Sequence, residues 1–448
     1  KSAGGMAGVL PVALAAAAVV ARTKYMSTAA KAAEGAAAEA APAPPKGAKR
    51  IDAFDSIRFF LIAYIACGHF IGFAEPSKFA FKAITQINVV VGAFFALSGY
   101  VGAYSTTEVG KKAIKEKIEK QTAPQFIVPR IFGFWMLHMF VLLLFSPMFI
   151  WVDNKFSGPL TALWHGFMST SMISAWFPMH AEVWNAPTWF LGALTFATIL
   201  TPYFMKFVAK QNKKELRRTA VWLTIFSLLP KLAYCYDTNG WGFLEGAMSP
   251  RAFPNLAFFN FIRFSPVWAV GEVMLGSVAC RLVMLDGVEG EPTPKTTILD
   301  TMGPVIGMIA IILLRATGYV SMSDMLVRPL IFMPLFLLFL MGLHRASLPD
   351  KVTDPIAKFL ALKPLTFLGG LSFAIFVVHG PLGQLFYKKA VATAVFGAPL
   401  NVIYGARFFY MYLFNTLVAA WFLQRFFMSS PAVANLSKKL QTFVMKFL

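Results

Sequence analysis

Ten apolar stretches divide the chain from residue 58 onward, and polar or basic segments separate them. The stretches lie near residues 58–74, 87–105, 127–151, 187–208, 219–236, 262–284, 298–316, 326–343, 365–386 and 404–427. Each is long enough, as a helix, to cross roughly 30 Å of hydrocarbon. The pattern therefore predicts an all-α integral membrane protein with about ten transmembrane helices around a polar cavity.

Two connecting loops are longer than the others and differ in composition. Residues 152–186 and 237–261 are rich in Trp, Pro, Phe and His. Aromatic residues of this kind are enriched where a protein meets the membrane surface. We expect the two loops to form interfacial segments packed over the cavity.

The composition excludes an ordinary soluble domain. Of the 448 residues, 57% are hydrophobic and 14% are charged, whereas about 25% of residues are charged in a soluble domain. The net charge of +20 lies in short loops between apolar stretches, so the positive-inside rule explains it and no nucleic-acid partner is predicted. Because the more basic loops alternate with less basic ones, both termini are expected on the cytoplasmic or equivalent side. The choice between an organelle, the endomembrane system and the plasma membrane stays open.

The chain divides into three predicted regions. Residues 1–50 form an Ala- and Pro-rich arm or targeting remnant, which other membrane subunits could contact, and residues 51–430 form the transmembrane domain. Residues 431–448 form a short basic tail. The three cysteines, Cys67, Cys235 and Cys280, lack metal-ligand spacing, so neither a metal site nor a disulfide framework is predicted.

The first apolar stretch carries the most informative polar pair, Arg58 and His69. Eleven residues make about three helical turns, so both side chains fall on nearly one face, about 16 Å apart along the axis. An imidazole this deep in a membrane is costly unless it faces a polar interior, which makes His69 a candidate site residue. The alternative is a histidine that bonds a neighbouring helix for packing alone.

Five later residues are further candidates, and each has a packing alternative. Ser98 lies beside Gly99, and small residues allow close helix contact. Arg130 and Trp189 begin stretches, where an arginine anchor or an interfacial tryptophan is common. Glu272 lies inside an apolar run as part of either a salt bridge or a charge site, and His379 precedes a helix-interrupting Gly-Pro, which points toward a cavity.

The order of these motifs along the chain is more specific than any one of them. Six motifs follow one another between about residues 50 and 428. In order, they are Asp-x-x-Arg with His after ten further residues, Phe-Phe-x-x-Ser-Gly-Tyr, Trp-Phe-Leu, Gly-Glu-x-x-x-Gly, Leu-Gly-x-x-Ser-Phe and His-x-Pro. This series resembles the acyltransferase 3 family of multi-pass membrane O-acyltransferases. The resemblance implies transfer of an acyl group from acyl-CoA to a hydroxyl of a carbohydrate, lipid or other small acceptor.

The resemblance also implies roles for single residues. His69 would be the general base, with Arg58 and Glu272 as further catalytic residues, and Arg58 and Arg130 would hold negative groups of the donor. Arg130, Ser98, Trp189 and His379 would contact substrate. Acyl-CoA would be a co-substrate, with no tightly bound cofactor and no metal, and the other partners would be the lipid bilayer and the hydroxylated acceptor.

One position departs from the family pattern. Bacterial members often have Trp-x-Leu-x-x-Glu, but here Leu194 follows Trp189 at the position of the Glu. This departure concerns acceptor handling and supports a second hypothesis, in which the chain is a catalytically degenerate structural subunit of a larger membrane complex. A third hypothesis is a transporter, because intramembrane His and Glu also form proton relays.

Overall fold

The computed structural model describes residues 50–249, 252–288, 294, 296–348 and 352–448. The predicted arm 1–50 lies outside the described residues except for Arg50. Within the described part, the chain is built of helices and their connections, with no strand and a single isolated bridge between Thr107 and Ile114. The all-α prediction is confirmed.

Ten long helices, α1 to α10, correspond to the ten predicted stretches. They are Ala53–Phe70, Ile87–Thr106, Ala123–Phe156, Trp189–Ala209, Lys213–Thr238, Pro266–Met284, Leu299–Thr317, Asp324–Ser347, Lys363–Tyr387 and Phe408–Phe422. Nine candidate spans in the described residues are long and apolar enough to cross a membrane, and they contain α1 to α9. With 15 residues, α10 is shorter than α1 to α9, and it continues as a π-helix over Leu423–Met428.

Short helices and 3-10 turns fill the connections. The short helices are Lys78–Ile84, Glu116–Glu119, Pro159–Thr170, Leu256–Phe264, Pro355–Leu360, Lys389–Phe396, Leu400–Tyr404 and Pro431–Val444, and the 3-10 turns are Ile71–Ala74, Ser174–Trp176, Pro178–His180, Ala186–Thr188 and Glu245–Ala247. Both long loops thus contain short helical segments, as expected for interfacial structure. The basic tail forms the helix Pro431–Val444, which has no buried residue.

Local sequence explains where two of the membrane helices begin. At the start of α3, Thr122 Oγ1 accepts a hydrogen bond from the Gln125 amide, and Gln125 Oε1 accepts one from the Thr122 amide. Asn212 and Glu215 make the same reciprocal pair at the start of α5. These capping boxes satisfy backbone donors that helix geometry leaves without partners.

Close contact between α2 and α6 depends on glycine. A Cβ atom at Gly99 would overlap the carbonyl of Val273, and one at Gly276 would overlap the carbonyl of Ala96. Ser277 Oγ also donates to the Gly99 carbonyl at 3.0 Å. Small residues that let two backbones touch are the usual means of packing helices in lipid, where burial of apolar area gives little driving force.

A second glycine contact brings α1 and α9 together. A Cβ atom at Gly369 would overlap the carbonyl of Asp55. The next residue, Gly370, has no atom within 4 Å of the corresponding position. The Gly369 contact holds the first turns of α1 against α9. Near the other end of α1, His69 meets His379 of α9.

We predict that Gly369→Ala destabilises the protein and that Gly370→Ala does not. The added methyl group at position 369 forces the helices apart, at a cost of about 1–3 kcal/mol. At position 370 the same change meets no obstacle and improves helix propensity by up to about 1 kcal/mol. Thermal unfolding of both variants in detergent measures the difference. Equal melting temperatures would show that the α1–α9 contact does not depend on Gly369.

Candidate functional site

A cavity of about 230 Å³ lies inside the helix bundle, and four of the seven predicted site residues line it. These four are Arg58, His69, Ser98 and Trp189. Most of the remaining wall is apolar and comes from α1, α2, α3, α4 and α9: Ile65, Ile87, Val91, Phe94, Phe134, Phe190, Leu191, Leu194, Phe373 and Phe376. The structure therefore joins residues from distant parts of the sequence around one narrow space.

His69 and His379 form a hydrogen-bonded pair across the contact between α1 and α9. His69 Nδ1 lies 3.1 Å from His379 Nε2, and the two rings stack with their centroids 5.3 Å apart. His379 is fully buried, whereas His69 is exposed to the cavity. His379 thus supports the ring of His69 from behind.

The surroundings of His379 fix which nitrogen of His69 is free. His379 Nδ1 lies 2.8 Å from the carbonyl oxygen of Phe376 and 3.1 Å from that of Ile375. Because carbonyl oxygens only accept, His379 Nδ1 carries a hydrogen, and its neutral Nε2 accepts the hydrogen of His69 Nδ1. Nε2 of a neutral His69 therefore keeps its lone pair, which is the state a general base requires.

His69 also lines two further clefts, which we call the far clefts. One, of about 570 Å³, is bounded by Asp153, His165, Trp184 and Gln384, among other residues; the other, of about 350 Å³, is bounded by Thr85, Asn88, Glu182, Glu245 and Arg263, among others. Many of these residues belong to the two long loops, which connect helices at the end of the bundle opposite Arg58. His69 consequently lies between the central cavity, which Arg58 also lines, and the far clefts at the opposite end of the bundle.

Arg58 is held at its end of the cavity by a carboxylate. Its Nη1 donates to Asp55 Oδ1 at 2.6 Å, and Arg50 Nη2 contacts the other oxygen of Asp55 at 2.5 Å. About a third of the Arg58 side chain stays exposed. Asp52 also lies 3.5 Å from Arg50, so the two arginines are balanced by two acids, and the exposed part of the Arg58 guanidinium is what can contact a phosphate or a carboxylate.

Two predicted residues lie outside this constellation. Glu272 is buried and accepts a bidentate interaction from Arg328, in which Arg328 Nε lies 2.7 Å from Glu272 Oε1. Its geometry matches the salt-bridge alternative. Arg130 stacks 3.5 Å from the ring centre of Phe126 and lines none of the three spaces that His69 lines.

The structure adds site residues that the sequence analysis missed. Arg263 lines both the central cavity and one far cleft, and its Nε donates to Asn88 Oδ1 at 3.1 Å. Lys231 is buried within α5. The signal available for Lys231 was a charged residue inside an apolar stretch. Arg263 lies in a short helix, and its position beside His69 follows only from the fold.

A chain of ionisable groups begins at the wall of the larger far cleft, which Asp153 and His165 line. His165 Nδ1 lies 2.9 Å from Asp153 Oδ2, and His165 Nε2 lies 3.2 Å from His180 Nδ1. Burial, and in second place the neighbouring His165, lower the pKa of His180. Within the described part of the chain, no three His, Cys, Asp or Glu side chains are arranged as metal ligands.

Glu245 and Glu182 are the acidic loop residues of the smaller far cleft, and Glu245 is the buried one. Its carboxylate accepts a hydrogen bond from Asn88 Nδ2, and it lies at 4.0 Å from Arg263 Nε. Burial, followed by the nearby Asp324, raises the pKa of Glu245, although three arginines oppose the shift. This carboxyl group therefore takes up a proton more readily than an ordinary glutamic acid does.

Comparison with known proteins gives one match. The model of the acyltransferase 3 family, described as an acyltransferase domain, matches residues 51–433 and so covers most of the chain. No curated protein and no solved structure matches the chain significantly.

We predict that a cysteine at position 98 is reachable by a water-soluble thiol reagent, whereas one at position 277 is not. Ser98 is exposed to the cavity, while Ser277 is fully buried between α2 and α6. Ser98→Cys and Ser277→Cys are compared by mass spectrometry with Cys67 replaced by Ser, since Cys235 and Cys280 are buried. Equal labelling of the two variants, or none, would contradict an accessible cavity at Ser98.

Proposed function

The chain belongs to the acyltransferase 3 family, and on that premise we propose that it transfers an acyl group from acyl-CoA to a hydroxyl acceptor across a membrane. The observation that carries the proposal is the position of His69, which lines both the cavity of Arg58 and the two far clefts. Donor and acceptor can then approach one imidazole from opposite sides.

The central cavity suits the donor in shape and in charge. Coenzyme A carries phosphates at one end of a thin arm and the thioester at the other. Arg58 supplies a partly exposed cation at the mouth, and the narrow apolar cavity extends from it to His69. We place the phosphates near Arg58 and the thioester beside His69.

The far clefts suit a polar acceptor. Both contain carboxylates, amides and aromatic rings, which bind hydroxyl groups and the apolar faces of small polar molecules. An acceptor hydroxyl in either cleft can reach His69 Nε2. With the donor at the basic loops, both termini lie on the cytoplasmic or equivalent side, as the charge pattern predicts.

The transfer follows from the state of His69. Its Nε2 takes the proton of the acceptor hydroxyl while the oxygen attacks the thioester carbon, and the carbonyl oxygen becomes negative. The carbonyl then reforms, the carbon–sulfur bond breaks, and the leaving thiolate takes the proton from His69. The new ester and free coenzyme A are the products, and His69 returns to its neutral form.

Two neighbours assist this sequence. His379 Nε2 accepts from His69 Nδ1 throughout, which orients the imidazole and stabilises the imidazolium that forms. Arg263 lines the same cavity, and its guanidinium is the nearest candidate to stabilise the negative carbonyl oxygen. Glu272 acts indirectly, because Arg328 holds it beside this region.

The open cavity favours catalysis over the structural-subunit alternative. Leu194 contributes to the cavity wall and leaves the space between Arg58 and His69 accessible. The leucine replaces a charge with an apolar surface in the cavity wall, so we expect it to change the preferred substrate and not to abolish transfer.

We predict that the purified protein consumes acyl-CoA and that His69→Ala lowers the rate at least 100-fold, because a general base typically contributes about 10²–10⁴-fold. Release of free coenzyme A, followed with a thiol reagent across a panel of hydroxyl acceptors, measures the rate. His138→Gln is the matched control, since His138 is a buried histidine on α3 that only bonds the Ser169 carbonyl.

Two outcomes would replace this proposal. Equal inactivity of the wild type and of His69→Ala with every acceptor, together with copurification at fixed stoichiometry in a larger assembly, would support the structural-subunit hypothesis. Proton-coupled flux in liposomes without acyl turnover would support a transporter.

We also predict that His379→Leu lowers kcat about 10- to 100-fold and that His379→Gln restores part of it. Leucine removes the acceptor for His69 Nδ1–H, whereas the glutamine amide oxygen can replace it. The pH dependence of kcat distinguishes the two variants, because loss of the acceptor moves the titration of His69. An unchanged pH profile in His379→Leu would show that His379 serves packing alone.

A further inference from the structure

A second, much smaller cavity lies beside the first one. It has a volume of about 30 Å³, and Asn88, Trp189 and Arg263 line both cavities. The rest of its wall is unusually rich in charge and includes Lys231, Glu245, Glu272, Asp324 and Arg328. A space of this size holds one water molecule or one ion of similar size.

All but one of the cations at this cavity have a carboxylate partner. Arg328 pairs with Glu272. Arg263 lies 3.4 Å from Glu182 and 4.0 Å from Glu245. Asp324 is neutralised from outside the wall by Arg315.

Lys231 is the exception among the described residues. Its side chain is 5% exposed, and its Nζ donates to Ser227 Oγ at 3.0 Å. No carboxylate of the described chain lies within 4.0 Å of it. Glu272 and Glu245 act on it only from beyond that distance. An ammonium carries three donors, so two of them are unused, and a buried charge without a direct partner is costly.

A second polar group at the cavity also lacks a partner. Trp268 lines the same space, and its buried indole nitrogen makes no hydrogen bond with any described residue. Buried N–H groups are almost always paired. Two unsatisfied donors, one of them cationic, thus share a cavity of ionic size.

We propose that this cavity binds one small monovalent anion, such as chloride, between the Lys231 ammonium and the Trp268 indole N–H. The anion supplies the missing acceptor for both donors and a negative charge in direct contact with Lys231, whereas a water molecule would supply only the acceptor. Bound there, it stabilises the arrangement of α5, α6 and α8 next to the central cavity.

The pH dependence of binding follows from the groups around the site. Glu245 faces Lys231, Asp324, Arg263, Arg328 and Arg315, and burial raises its pKa. When this carboxyl group takes up a proton, the wall becomes more positive. Chloride affinity is therefore expected to fall as the pH rises.

The test compares the melting temperature of the purified full chain in sodium chloride, bromide and gluconate at equal ionic strength. Gluconate is too large for the cavity, so chloride and bromide should each raise the melting temperature in a saturable way, by roughly 2 °C. Lys231→Met should abolish this difference. Lys213→Met should retain it, since Lys213 is a buried lysine of the same helix that pairs with Asp286 at 3.0 Å.

A second variant, Trp268→Phe, tests the same site if Lys231→Met fails to fold. Trp268→Phe removes the N–H group together with part of the aromatic ring but keeps the Lys231 charge, and it should weaken the apparent chloride affinity roughly tenfold. Equal melting temperatures of the wild type in chloride and gluconate would show that the cavity holds water only and would overturn the proposal. A chloride effect that persists unchanged in both Lys231→Met and Trp268→Phe would also overturn it. Neither result depends on acyl transfer.

Discussion

The hydrogen bond between His69 and His379 is the interaction on which the rest of the site depends. It crosses the contact between α1 and α9, and it exists because His379 has its other nitrogen committed to two backbone carbonyls. That commitment leaves one orientation for the pair. A carboxylate usually fills this supporting role in soluble enzymes, but a second imidazole does so without placing another charge inside the membrane.

Buried charge is concentrated in a separate layer beside this neutral pair. Asn88 connects the two regions, because it lines the central cavity together with His69, while its side chain contacts Arg263 and Glu245 and its carbonyl accepts from Arg328 at 3.2 Å. In a low-dielectric interior such a network is stable only when each member has a partner. The network fixes the wall next to His69 and leaves the reacting nitrogen uncharged.

Much of the fold could be predicted from the sequence, because a membrane-spanning helix is recognised from the length and composition of one local apolar stretch. Helical periodicity placed Arg58 and His69 on one face, and the structure brings both to one cavity. Partners distant in sequence could not be assigned in this way. Glu272 could not be matched to Arg328, and Arg263 gave no sign that it lies beside His69, because both facts depend on how separate helices meet.

Because His69 lies between spaces at both ends of the bundle, the protein must prevent protons from crossing the membrane through them. A continuous column of water through the bundle would let protons leak and would dissipate any electrochemical gradient. The ring of phenylalanine, leucine and isoleucine side chains around the central cavity opposes wetting, and Leu194 belongs to that ring. A carboxylate at that position would attract water into the passage, whereas the leucine adds to its apolar wall.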